Sequence, residues 1–295
     1  TTFVSALVLI MVGSIVRVTG NGLGCPDWPL CYGQIVPPLQ IAPWVEFSHR
    51  LMGALTSAQI VAMAVLAWRW RRREPWIVQP ALLAVGFLAV QVALGCIHVI
   101  FELPPASGWM HTGVAMAITA MVASQVAVTH PAMQRLSARA RAVVTRDRGL
   151  PAALAATALA AFLLLLTGSY VTRTGASLAC PAFPYCGAEA YALAFPGLIA
   201  IQMIHRFLAF GVAIAACLTL WRLVRAGKNE PGFHVAALGL ALLIVVQFGL
   251  GISNVLLRLP MWSRTLHLLV AAMLWAGLAM LCVAVQRGNR ATVNG

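Results

Sequence analysis

Charged side chains are scarce in this chain: only 9% of its 295 residues are Asp, Glu, Lys or Arg, and only seven are acidic. A soluble domain carries about 25% charged residues. Hydrophobic residues make up 61% of the sequence, and its mean hydropathy is +0.88. A chain this apolar does not cover itself with polar surface in water, whereas a bilayer removes that need. The composition excludes a soluble domain and predicts an integral membrane protein.

The apolar runs predict an all-α membrane fold with eight transmembrane helices. A span needs about 20 residues, so eight spans and their loops fill the chain. The first run is short, and we expect a few residues of that helix and a cytoplasmic leader to precede Thr1. No run resembles a cleaved signal peptide. The runs cover roughly residues 3–18, 45–68, 76–100, 108–129, 150–171, 198–221, 233–257 and 262–285.

The net charge of +13 follows the predicted topology. Basic residues cluster after the second, fourth, sixth and eighth runs, as at Arg71, Arg139, Arg225 and Arg287. All four clusters lie on one side if the helices alternate, and the positive-inside rule makes that side cytoplasmic. The pattern predicts a multi-pass protein of the cell membrane with both termini in the cytoplasm. It gives no reason to expect nucleic-acid binding.

The chain contains an internal repeat. Residues 13–31 (GSIVRVTGNGLGCPDWPLC) match residues 168–186 (GSYVTRTGASLACPAFPYC) at an offset of 155 residues, and the offset is 156 from residue 46 onward. A long match at a nearly fixed offset indicates duplication. Each copy has an even number of spans, so a pseudo-twofold axis along the membrane normal should relate them. We predict two tandem four-helix bundles, residues 1–130 and 150–295, joined by a cytoplasmic linker, 131–149.

Two predicted outward loops each carry a pair of cysteines, Cys25 with Cys31 and Cys180 with Cys186. Two prolines separate the cysteines of each pair, and the loops face an oxidising compartment if the topology holds. We predict a disulfide in each loop. A redox-active thiol pair is the alternative, and zinc binding is less consistent because neither loop contains a histidine.

Four histidines occur at matched places in the two copies: His49 and His111, then His205 and His267. Ionisable groups at membrane depth usually face the interior and serve a function. Two opposed imidazoles in a four-helix bundle suit axial ligation of haem iron, near the outer face here. The alternative is that the rings only hydrogen-bond backbone groups. Arg50 and Arg206 follow two of these histidines and either pair with haem propionates or extend towards the interface.

The CPDWPLC loop, the run Glu46-Phe-Ser-His49 and the duplicated histidine pairs resemble haem A synthase over nearly the whole chain. The resemblance implies oxidation of the C8 methyl of haem O to a formyl group by successive hydroxylations, giving haem A for a terminal oxidase. It implies that His205 and His267 ligate a haem b cofactor, and that His49 and His111 face the substrate haem with Glu46 beside them. Delivery from a haem O synthase is a further expectation, and the electron donor is unidentified. Lipid-facing and partner-facing surfaces look alike in sequence, which leaves an oligomer open.

Differences between the copies indicate which half carries the chemistry. Glu46 is replaced by Gln202, and His98 by Asn254. A reactive site needs groups that move protons or stabilise charge, so the first half is predicted to be reactive. Glu46 is predicted to hold or pass a proton, and the alternative is that it merely caps a helix start.

Two other functions fit parts of the pattern. A quinol-linked dihaem b electron carrier also needs four histidines, but its haems usually lie on opposite sides of the membrane. A transporter would explain the repeat, but it predicts broken helices or midplane charges that the spans do not clearly show.

Overall fold

The computed structural model of the chain describes residues 1–187 and 195–290. In these ranges the protein is all-helical, with nine α-helices and no named strand. The helices are α1 (Thr2–Val18), α2 (Ile41–Arg71), α3 (Pro75–Ile100), α4 (Pro105–Thr129), α5 (Pro131–Arg146), α6 (Leu150–Arg173), α7 (Pro196–Ala226), α8 (Pro231–Leu256) and α9 (Met261–Arg290). Six of them, α3 to α8, have proline at the first or second position, where its missing N–H costs no intrahelical bond.

Seven of these helices are long and apolar enough to cross a membrane: α2, α3, α4, α6, α7, α8 and α9. The prediction of an all-α membrane protein is therefore confirmed. Helix α1 is apolar but has only 17 residues, which span about 25 Å at 1.5 Å per residue, less than the roughly 30 Å hydrocarbon core. The eight spans expected from the sequence thus correspond to seven full-length helices and one shorter apolar helix in the described residues.

The basic segment between the two copies forms a helix, α5, which the sequence predicted only as a linker. It buries Ser137, Ala140 and Val143 and packs against α9. The Ser137 hydroxyl donates to the Ala284 carbonyl at 2.8 Å. Gly288 permits this approach, because a Cβ there would collide with the Ser137 carbonyl.

Helix contacts follow the same cyclic order in both copies. In the first, α1 packs on α2, α2 on α3, α3 on α4 and α4 on α1; in the second, α6, α7, α8 and α9 repeat this order. Between the copies, α4 packs on α9, α1 on α9 and α4 on α6. Helix α4 is the most enclosed span and α9 the next. Buried Met116, Leu165 and Ala272 form the apolar centre of this contact, and the Trp275 indole N–H donates to the Met116 carbonyl at 2.9 Å.

The first cysteine loop (residues 19–40) and the second cysteine loop (174–195, described except for 188–194) each contain the predicted disulfide. The sulfur–sulfur distances are 1.96 Å for Cys25–Cys31 and 1.97 Å for Cys180–Cys186. In the first loop, the Asp27 carboxylate also accepts hydrogen bonds from the N–H groups of Gly33 and Tyr32. These bonds, the one from Gly33 foremost, hold the pKa of Asp27 below its usual value.

One arginine bonds several backbone carbonyls of each cysteine loop and so helps to hold it onto the helices. Arg50 donates to the carbonyls of Cys25, Asp27 and Leu30 at 2.7 to 3.0 Å. Arg206, whose side chain is buried, does the same for its loop. It donates to the carbonyls of Cys180, Ala182, Pro184 and Tyr185 at 2.7 to 3.2 Å. Both guanidinium groups are therefore engaged with the loops, while their predicted contact with haem propionates stays a prediction.

We expect Arg206→Gln to loosen the second cysteine loop selectively. The loop carbonyls lose the charged group that donates to them, which should lower the free energy of unfolding by about 2–4 kcal/mol. In the purified protein, dithiothreitol should then reduce Cys180–Cys186 faster than in the unmodified protein, as measured by mass spectrometry of trapped thiols. The Cys25–Cys31 disulfide is the internal control.

Arg50→Gln is the matched variant and should accelerate reduction of Cys25–Cys31 alone. If either variant accelerates both disulfides equally, the arginines act on global stability and not on their own loops.

Candidate haem-binding sites

The four predicted ligand histidines lie on four different helices at similar depth. His49 is on α2 and His111 on α4, whereas His205 is on α7 and His267 on α9. All four lie within the first three turns of their helices. His49 and His111 lie close enough to interact electrostatically, and so do His205 and His267. The structure therefore brings each predicted pair together within its own half.

A glycine on a neighbouring helix makes room for each imidazole ring. A Cβ atom added at these glycines would lie 2.8 to 3.5 Å from the Cε1 atom of the facing histidine, too close at Gly13, tight at Gly168 and Gly251, and in ordinary contact at Gly95. The pairs are Gly13 with His49, Gly95 with His111, Gly168 with His205, and Gly251 with His267. The repeat contains both glycine pairs at the expected offsets, but the sequence interpretation did not connect them with the histidines.

The ring of His205 is oriented by a hydroxyl group. Thr167 donates its proton to the Leu164 carbonyl at 2.7 Å, and its Oγ1 lies 2.8 Å from His205 Nδ1. The oxygen therefore accepts the Nδ1–H, which leaves the Nε2 lone pair available to a metal. Val12 occupies the equivalent position in the first half.

Among the described residues, no hydroxyl group hydrogen-bonds the other three ligand histidines, although the side-chain amide nitrogen of Gln247 lies 3.3 Å from His267 Nε2. The Nδ1 atoms of His49, His111 and His267 are buried and form no hydrogen bond within the described chain. The backbone carbonyls of Gln91 and Gln247 lie beside the rings of His111 and His267, outside hydrogen-bonding geometry. A metal-bound histidine commonly donates its Nδ1–H to a carbonyl of this kind.

The two histidine pairs fit haem better than a bare metal ion. In residues 1–187 and 195–290, no three His, Cys, Asp or Glu side chains converge to hold an ion. A haem needs only axial ligands from the protein, because the porphyrin supplies the four equatorial nitrogens. Paired imidazoles at matched depth, each given space by a glycine, meet that need.

Glu46 is buried one turn before His49, with 6% of its surface exposed. Arg50 Nε donates to its Oε1 at 3.1 Å. Helix α2 begins at Ile41, so Glu46 lies in the second turn, beyond the groups that a helix cap satisfies. In the second half, Gln202 instead accepts from the Cys180 N–H and donates to the Ser177 carbonyl.

His98, at the outer end of α3, lies near the first histidine pair. Its Nδ1 is 2.7 Å from Ser107 Oγ, and Ser107 donates to the Pro104 carbonyl. Its Nε2 faces the guanidinium of Arg173 at 3.4 Å. The sequence interpretation missed Thr167 and Arg173, because neither is repeated: their equivalents are Val12 and Val18.

The chain is similar to known proteins along nearly its whole length. The family model of the cytochrome oxidase assembly protein family COX15-CtaA matches residues 1–44 and 40–279. Proteins named "Heme A synthase" from Bacillus cereus (strain 03BB102) and Bacillus anthracis (strain A0248) are each 27% identical over 297 residues. The match covers 99% of this chain and 93% of each relative, as it does for the Bacillus cereus (strain AH187) protein, 27% identical over 302 residues. The chain belongs to the COX15-CtaA family of cytochrome oxidase assembly proteins.

Proposed function

We propose that this protein is a haem A synthase, an enzyme that oxidises the C8 methyl group of haem O to the formyl group of haem A. The observation that carries the proposal is the duplicated histidine pair, brought together within each half and provided with space by matched glycines. The relatives named "Heme A synthase" cover 99% of the chain and support the same activity. They favour it over a dihaem electron carrier.

The proposed architecture is two tandem four-helix bundles, residues 1–130 and 150–295, with 131–149 as linker. The cyclic contacts of α1 to α4 and of α6 to α9 support it. Contacts between the halves also come in equivalent pairs, α1 with α9 and α6 with α4, on either side of the α4–α9 contact. A pseudo-twofold axis along the membrane normal, with α1 counted as the eighth span, would produce this pattern.

The proposed orientation places both termini in the cytoplasm of a cell-membrane protein. Arg71, Arg225 and Arg287 lie at the ends of α2, α7 and α9, and the basic helix α5 follows α4. The disulfide-bonded loops precede α2 and α7, at the opposite ends of these helices. The positive-inside rule and the oxidised cysteines support the same assignment, with the histidines near the outer face.

We assign haem b to the second half and haem O to the first. A resident cofactor needs rigid ligands, and His205 is the one ligand with a hydroxyl anchor among the described residues. A substrate site needs ionisable groups, and the first half has Glu46 and His98 where the second has Gln202 and Asn254. Haem O would come from a haem O synthase, and electrons from a separate donor.

In this scheme the haem iron, when bound, supplies the oxidising chemistry, and the protein supplies position and proton transfer. His49 and His111 hold the substrate haem between α2 and α4. Glu46 lies one helical turn from His49 on the same helix. Its carboxylate, buried and paired with Arg50, would hold or move a proton during the reaction.

Replacing His205 or His267 with Ala should remove haem b from the purified protein, because each supplies one axial ligand. The low-spin bis-histidine absorption and electron paramagnetic resonance signals are the measurement. The equivalent variants His49→Ala and His111→Ala are the control and should keep haem b. Loss of haem b with His49 or His111, but not with His205 or His267, would reverse the assignment of the halves.

Thr167→Val should weaken haem b retention about tenfold, because His205 loses the partner that orients its ring. The measurement is the rate at which haem b transfers to excess apomyoglobin. Thr157→Val is the matched control: it lies on the same helix and also breaks a buried threonine hydrogen bond, the one to Thr219. Equal rates in the two variants would show that Thr167 contributes only to general stability.

Glu46→Gln should fold and keep haem b, since the second half uses glutamine at the same place. Haem A formation should fall by about 10²–10⁴-fold, the usual range for losing a positioned proton-transfer group. The measurement is the haem A to haem O ratio by chromatography of extracted haems. Gln202→Glu is the paired variant and should leave this ratio unchanged. Near-normal haem A formation by Glu46→Gln would leave Glu46 only its structural link to Arg50.

A further inference from the structure

Three arginines meet where the two halves come together at the loop-bearing ends of the helices. Arg17 is in the last turn of α1, Arg173 is at the end of α6, and Arg264 is in the first turn of α9. Arg173 and Arg264 lie close enough to Arg17 for their positive charges to repel the charge of Arg17. All three residues are partly buried.

This cluster has no carboxylate partner in the described part of the chain. The ion pairs found in residues 1–187 and 195–290 are Arg50–Glu46, Arg71–Glu74, Arg139–Glu230 and Arg222–Asp147. Among the described residues, Arg17 donates only to the Thr172 hydroxyl, at 2.7 Å, and Arg264 only to the Val18 carbonyl, at 3.4 Å. Arg173 Nε is buried without any hydrogen-bond partner. Three shielded positive charges without a counter-ion are costly, so an anion is expected to complete the cluster.

Arg173 and Arg17 each lie near histidines of the opposite half of the protein. Arg173 belongs to the second half, but it lies close enough to His98 and His111 of the first half to interact with them electrostatically. It also occupies the space left by Gly108, where a Cβ would collide with its guanidinium. Arg17 belongs to the first half, yet it lies close enough to His267 of the second half to interact with it electrostatically.

The chemistry of the expected anion follows from its position beside both histidine pairs. A haem carries two propionate carboxylates, and arginine pairs with carboxylates through two parallel hydrogen bonds. The guanidinium groups of Arg50 and Arg206 are already engaged with loop carbonyls. The cluster, in contrast, includes Arg173 near His111 and Arg17 near His267.

We propose that Arg173 binds a propionate carboxylate of the haem in the first half, and that Arg17 binds one of the haem in the second half. This inference rests on the proposed function, since it takes haem to be the ligand of both pairs. Arg264 lies between them and adds to the positive field at both sites. Each site is thus completed by the opposite half, so neither half binds haem fully without the other.

The test uses the full-length protein with haem b bound in the second half. The first half is titrated with ferric haem B and, separately, with its dimethyl ester, which lacks the propionate charges. Low-spin absorption reports binding. The unmodified protein should prefer the free acid by about tenfold or more, and Arg173→Gln should abolish this preference. Arg173→Lys should retain part of it, and bound haem b confirms that each variant is folded.

Two variants serve as comparisons. Arg17→Gln should keep the preference in the first half but shift the midpoint potential of haem b. Arg225→Gln, which removes an arginine stacked on Trp221 at 4.7 Å near the other end of α7, should change neither quantity.

Several results would overturn the inference. One is equal binding of acid and ester by the unmodified protein, in which case haem binding stands and only the propionate contact fails. Another is a preference that survives in Arg173→Gln. A third is loss of copurifying phospholipid phosphate from that variant with the preference unchanged, which would make a lipid headgroup the anion. Failure of the unmodified first half to bind either haem would instead overturn the proposed function.

Discussion

Placing four imidazole rings inside an apolar helical protein is the constraint on which the rest of the structure depends. An unpartnered polar ring at membrane depth is costly, so each ring needs both space and a partner. Space comes from a glycine on the adjacent helix, at Gly13, Gly95, Gly168 and Gly251. At Gly13 and Gly168, where an added Cβ would lie 2.8 and 3.0 Å from the ring, a larger residue would push the helices apart or turn the ring away. The same glycines therefore contribute both to the close packing of the helices and to the placement of the histidine rings.

Duplication explains why this arrangement occurs twice, and divergence explains why the two sites differ. Helix order, cysteine loops, loop-holding arginines and ring-facing glycines are the same in both halves. The differences lie at the histidines. Thr167 anchors His205 where Val12 leaves His49 unanchored, while Glu46 places a carboxylate where Gln202 places an amide. The second half thus suits a fixed ligand, and the first suits proton transfer.

The contact between the halves contains both an apolar centre and a cluster of positive charges. Its apolar centre around Met116 and Ala272 joins α4, α6 and α9. At the loop-bearing end, it gathers Arg17, Arg173 and Arg264. Their mutual repulsion opposes docking of the halves, so an anion bound there would stabilise the contact and link the two sites.

The membrane class, the repeat, the disulfides and the matched histidine positions could all be predicted from the sequence, because composition, spacing and offset are properties of the linear chain. Helix boundaries were predicted less well: α2 begins at Ile41, before the expected span, and the linker is a helix. The partners of the histidines and arginines emerged only from the tertiary structure. Thr167 is 38 residues from His205, and Arg173 is 75 residues from His98. Such pairs meet through helix packing across the interior, and no local pattern or repeat marks them, since the equivalents of Thr167 and Arg173 in the first half are both valine.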